Sequence, residues 1–131
     1  MKKSIGTAAL LGAMCLAVMP AAPAYAANWV YVSTSTDNAD SYYDADTLQR
    51  SGEVVTVWRQ KDHSRDKTVK YRSSKQLIRY YCSRRSWVIV YIIDYYPNGE
   101  TEIFEYPAYR QAETVIAPDT DGEKMLEAVC R

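Results

Sequence analysis

The single histidine, His63, stands in Asp62-His63-Ser64-Arg65-Asp66-Lys67, a run with no apolar residue. Imidazole-based metal centres need several ligands, and acid–base or nucleophile constellations need an ordered, partly desolvated pocket. One histidine in a highly charged hairpin tip reads as a solvated loop residue, so no catalytic residue, metal site or cofactor is assigned. Asp119, Asp121 and Glu123 share the opening of a calcium loop, but the glycine and the distant glutamate that complete such a loop do not follow. Thr120-Asp121-Gly122-Glu123 has instead the S/T-x-x-E form of a capping box, with acids in the first turn to match the helix dipole. Asp44 and Asp46 read as caps of a turn.

Two other sets could recognise a partner. Arg59, Lys61, Arg65, Lys67, Lys70 and Arg72 straddle one hairpin, with Arg84 and Arg85 further on, and form a candidate patch for an acidic glycan or an acidic protein surface. Asp62 and Asp66 dilute it, so a solvated hairpin is the simpler reading. The chain is formally neutral, with 16 basic and 16 acidic residues, yet the charge is polarised: basic residues dominate from Arg50 to Arg85 and acidic ones from Asp94 to Glu127. Nucleic acid is not an expected partner of such a chain. The second set is aromatic. Twelve tyrosines and three tryptophans exceed what a small core needs, and tyrosine suits half-buried surfaces because one end stays wet. Trp87, Tyr91 and Tyr95 are the candidate interface residues.

Met1-Lys2-Lys3, an apolar run to Met19 and the triplet Ala24-Tyr25-Ala26 have the form of a Sec signal peptide, residues 1–26, cleaved after Ala26. The run is short of the roughly 20 residues that span a bilayer, so no transmembrane segment is expected in the mature form. Met14 ahead of Cys15 does not suit a lipid-anchoring signal, and Cys15 is expected to be discarded. One domain, 27–131, then remains, with Cys82 and Cys130 as an even pair in an oxidising compartment, where a bridge would tie the C-terminal helix to the sheet.

The elements are mostly strands. Leu77 to Tyr96 is the most apolar and β-branched stretch, and its second half is apolar at both parities. Trp87, Ile89, Tyr91, Ile93 and Tyr95 are expected to point one way and Val88, Val90 and Ile92 the other, as on a strand covered on both faces. Earlier strands are expected at Asn28–Ser33, from Tyr42, and at Glu53–Lys61. Val69 to Tyr71 resumes an extended pattern, and Lys75–Cys82 places Ile78, Tyr80 and Cys82 on one parity, facing the helix. Pro97-Asn98-Gly99 marks a hairpin into Thr101–Tyr106. Ala108 to Ala117 has no clear pattern, and a helix of about ten residues follows Pro118, with Met125, Leu126, Val129 and Cys130 on one stripe. A ten-residue helix shields one side of a sheet, so one face of the central strand should be open to a second copy or another partner.

An ordered set of short motifs resembles the surface-adhesin E family: Trp29-Val30-Tyr31-Val32, Tyr43-Asp44 before Asp46–Leu48, Arg50-Ser51-Gly52 leading to Val57-Trp58, Lys75-Gln76-Leu77, Cys82 followed by Arg84-Arg85, Tyr96-Pro97-Asn98-Gly99, and Pro118 ahead of a helix ending in Val129-Cys130. Tyr81 stands where the family usually has an acid, and Thr114-Val115-Ile116 where it often has a Trp. The resemblance implies an α+β fold, an antiparallel sheet of about six strands with one C-terminal helix packed on its concave face and tethered by a disulfide. It also implies an exported, non-catalytic binding domain for host matrix or serum glycoproteins that forms a homodimer. A periplasmic ligand- or protein-binding module, inhibitor-like and without an adhesin role, is the alternative expectation.

Overall fold

The computed structural model describes residues 27–131, and the expected signal peptide, with Cys15 and the cleavage point, lies outside them. The elements run β1 (Trp29–Thr34), β2 (Asp40–Asp44), β3 (Gln49–Ser51), β4 (Val54–Asp62), β5 (Ser73–Tyr81), β6 (Ser86–Tyr95), β7 (Thr101–Glu105), a 3-10 turn at Ala108–Arg110, β8 (Thr114–Val115) and α1 (Asp121–Val129). Six strands form one antiparallel path in the order β1-β2-β4-β5-β6-β7, as expected. Two short additions raise the count to eight: β3 pairs with the start of β4, and β8 with the start of β6. β8 lies in the stretch that showed no sequence pattern, because two residues are too few to display a period.

Local chemistry sets the turns. Tyr96 N–H donates to the Glu100 carbonyl, and Asn98 Oδ1 accepts from Glu100 N–H. Only Gly99, at φ +87°, enters the left-handed region here. The hairpin is therefore the three-residue kind, a tight turn closed by a left-handed glycine. Helix α1 begins with Thr120 Oγ1 accepting from Glu123 N–H, the first half of a capping box, while Glu123 Oε1 accepts from Asp119 N–H, one residue before the cap.

α1 lies on one face of the sheet. Its Met125, Leu126 and Val129 join Val55 and Val57 of β4, Ile78 and Tyr80 of β5, and Ile116 in one buried cluster. Cys82 and Cys130 are bridged across a Cα separation of 5.7 Å, which fixes the end of the helix to the end of β5. Ile78, Tyr80 and Cys82 thus share the helix side, as their parity indicates.

The parity expected for β6 is not kept. β5 and β6 pair Leu77 with Tyr91 but Ile78 with Ile89, which leaves Val90 as an extra residue in a β-bulge. One inserted residue reverses the alternation on either side of it. Trp87 consequently packs on the helix side against Tyr80, whereas Tyr91 meets Trp58 on the other face. The set Trp87, Ile89, Tyr91, Ile93 and Tyr95 is split between the two faces of the sheet.

Candidate binding faces of the sheet

The face away from α1 is built from alternate residues of neighbouring strands. The register aligns Trp58, Leu77 and Tyr91 in one row, and Gln60, Lys75, Ile93 and Ile103 in the next. Trp58 and Tyr91 meet edge to face with centroids 6.0 Å apart, a favoured aromatic geometry. The Lys75 ammonium lies 5.7 Å from the Trp29 ring and 5.5 Å from the Tyr95 ring, within cation–π range. Trp29, Asp44, Trp58, Lys75, Ile93 and Tyr95 line a shallow cleft of about 270 Å³. Asp44 is buried, and its Oδ1 accepts the amides of Asn28 and Asp46, the capping role assigned to it. These aromatics are half-buried, and Ile103 extends them toward the β7 edge with 53% exposure.

Tyr91 and Tyr95 of the candidate interface lie on this face, and Trp87 does not. Ile93, grouped with them by parity, lies there too; Trp29, Trp58 and Lys75 also belong to this face and were not singled out from sequence. The usable signal was parity: Trp58 opposes Val55 and Val57 on β4, and Lys75 and Leu77 oppose Ile78 on β5.

The candidate basic residues do not converge on one patch. Arg59 is buried on the helix side, with its guanidinium 4.7 Å from the Trp87 ring centroid. Lys61 is half-buried two positions further along β4. Arg65 Nη2 donates to both carboxylate oxygens of Asp40, at 3.0 and 2.9 Å, and the Thr34 hydroxyl and then Arg65 hold that carboxyl below its usual range. Lys67, Lys70 and Arg72 are exposed. Arg84 pairs with Glu113 and stacks 4.2 Å over the Tyr81 ring, while Arg85 pairs with Glu123 on α1 at 2.6 Å. Half of the set is thus committed to ion pairs or core packing.

His63 is not a solvated tip residue. It is 7% exposed; its Nδ1 and Asp66 Oδ2 are 2.8 Å apart, and its ring stands edge-on to Tyr71 at 4.9 Å. The charged run folds back instead of projecting: His63 N–H donates to the Arg72 carbonyl and Arg72 N–H to the Tyr95 carbonyl. Val69 to Tyr71 is therefore part of this folded loop, and β5 begins only at Ser73. The Thr68 hydroxyl and then His63 pull the Asp66 carboxyl down to about 2. The run lacks aliphatic residues, so burial here rests on hydrogen bonds and on Tyr71, which a hydropathy reading does not register.

No three His, Cys, Asp or Glu side chains converge among the described residues in a way that would hold a metal ion. No described helix is long and apolar enough to cross a membrane.

No curated protein matches the sequence. Solved structures of Haemophilus influenzae protein E share the fold. A selenomethionine form superposes with a TM-score of 0.55 at 15% identity, covering 76% of this chain and 84% of that one. A second crystal form gives 0.52 at 16% identity, covering 83% and 93%. At these identities the likeness concerns the fold. The sequence itself matches the profile described as surface-adhesin protein E over residues 29–131, the whole span from β1 to the C-terminal arginine. The chain belongs to the surface-adhesin protein E family, and the bridged helix on a mostly antiparallel sheet is the frame of an adhesin-like binding domain.

Proposed function

We propose that this chain is an exported, non-catalytic adhesin domain that meets its ligand, a host matrix or serum glycoprotein, through the sheet face away from α1. The observation that carries this reading is the run of Trp29, Trp58, Tyr91, Ile93 and Tyr95 around Lys75, over which no helix packs among the described residues. Apolar patches of this kind mark contact surfaces on soluble domains, and Trp and Tyr anchors supply much of the contact energy in protein interfaces. A protein ligand fits better than a buried small molecule because the cleft is shallow and rimmed by charge. Family membership supports export and binding in place of catalysis.

Binding of residues 27–131 to immobilised matrix and serum glycoproteins tests the proposal, together with Trp58→Ala and Tyr91→Asp. Loss of one central anchor should weaken binding by about 2 kcal/mol or more, some thirtyfold. Unchanged binding by both variants would move the site off this face. Sedimentation of the same proteins reads self-association: a dimer that Tyr91→Asp converts to monomer would assign the face to a second copy. Surface labelling of intact cells locates the protein, and recovery wholly in the periplasm would favour the inhibitor-like module.

A further inference from the structure

On the opposite face, beyond the N-terminal end of α1, two cations lie next to each other without a counter-charge in contact. Arg59 and Lys61 are two positions apart on β4, so their side chains leave the same face from Cα atoms about 7 Å apart. Arg59 is 7% exposed. Its Nε and Nη2 both donate to the Gln76 side-chain carbonyl on β5, and Trp87 lies under its plane. The guanidinium is thereby fixed, yet its hydrogen-bond acceptor is neutral. Nη1 has no acceptor and is not among the sealed polar atoms of the core.

Neither Arg59 nor Lys61 takes part in any ion pair among the described residues. Buried charges are ordinarily paired, because desolvation costs several kcal/mol per ion. Burial, and after it the Arg59 charge, holds the Lys61 ammonium below its usual range. Asp121, Asp66 and Asp37 act on Lys61 only from beyond contact, and Asp66 is already bonded to His63 and Thr68. The Tyr80 hydroxyl is fully buried and near enough to feel the Arg59 charge, but makes no hydrogen bond that meets distance and angle limits together.

We propose that Arg59 and Lys61 form an oxyanion site for a sulfate or phosphate group, separate from the aromatic face. A guanidinium fixed in plane presents its remaining edge to an oxyanion, and an ammonium alongside takes a further oxygen. A dianion matches the two charges. The negative charges of Asp37, Asp66 and Asp121 also act on Lys61, which disfavours a long polyanion over a small oxyanion. The same group is found free or as an ester on a sugar, and the two sources separate in the test.

The test is an NMR titration of residues 27–131 with sodium sulfate at constant ionic strength, following the Arg59 Nε–H and the β4 amides. Saturable shifts centred on Arg59 and Lys61 are expected, with an affinity on the order of millimolar. Lys61→Gln should weaken binding at least about tenfold while the rest of the amide spectrum stays native, and Lys67→Gln on the exposed loop should leave it unchanged. Tighter binding of a sulfated disaccharide than of sulfate would identify the ester as the ligand; equal binding would identify the free anion. Shifts that track chloride equally, or Lys61→Gln binding sulfate like the unaltered protein, would overturn the proposal.

Discussion

Removing the Cys82–Cys130 bridge, by a double substitution to Ala, isolates what holds α1 in place. The bridged residues are 48 apart in sequence. In the chain-entropy treatment, closing a loop of that length stabilises the folded state by about 4 kcal/mol at 25 °C. A domain of this size has an unfolding entropy near 0.2 kcal/mol/K, so Tm should fall by roughly 15–20 °C. The loss should be felt first at the helix. α1 spans Asp121–Val129, nine residues, below the roughly 12–15 at which an isolated helix becomes marginal in water. Without the bridge it is held by Met125, Leu126 and Val129 in the core and by the Arg85–Glu123 pair, and such an exposed pair contributes under about 1 kcal/mol. Native-state hydrogen exchange should therefore show α1 amides opening well below the free energy at which β4 and β5 open. A Tm within about 5 °C of the bridged protein, or α1 and β5 amides exchanging together, would refute the reasoning.

Three further outcomes follow from single side chains. Tyr80→Phe removes a buried hydroxyl without a partner, so denaturant unfolding in sulfate-free buffer should find it neutral or up to about 1 kcal/mol more stable. Gly99→Ala should cost about 1 kcal/mol in the same assay, from left-handed strain alone, since the space around Gly99 is open. Asp66 is held at about 2, below its ordinary 3.8. Its contribution to stability is therefore complete above about pH 4 and lost as pH falls toward 2. Unfolding curves of the unaltered protein and Asp66→Asn should differ most above that window and converge through it.

What was legible in the sequence is what alternation and caps encode. Ile78 and Tyr80 could be placed under the helix because β5 keeps its period through that half. Thr120 and Glu123 announced the helix, and Cys82 and Cys130 were the pair expected to bridge. Three things were not legible. The bulge at Val90 is invisible where every residue is apolar, since no polar position marks the break in alternation; Trp87 was for that reason grouped with Tyr91. The burial of His63 depends on a carboxylate three residues on and a ring eight residues on, brought together by a fold-back that no local period encodes. The basic residues look like a patch when their numbers are close, but strand alternation and the partners Asp40, Glu113 and Glu123 lie elsewhere in the chain and disperse them.

The size of α1 explains why most of the sheet is left without a helix over it among the described residues. Nine residues at 1.5 Å each make a helix about 14 Å long, while six strands spaced about 4.8 Å apart put the outer strand axes about 24 Å apart, and β4 alone is about 30 Å long. The helix can cover only part of one face, which is where Val55, Val57, Ile78 and Tyr80 are found. The rest of that face has to be satisfied without apolar cover, and there β4 and β5 switch to Arg59, Lys61, Ser74 and Gln76. Among the described residues no helix lies on the far face, which carries Trp58 and Tyr91 beside Lys75. The bulge at Val90 makes this division possible within one strand: it lets β6 contribute Trp87 beneath Arg59 on one side, and Tyr91, Ile93 and Tyr95 to the aromatic face on the other.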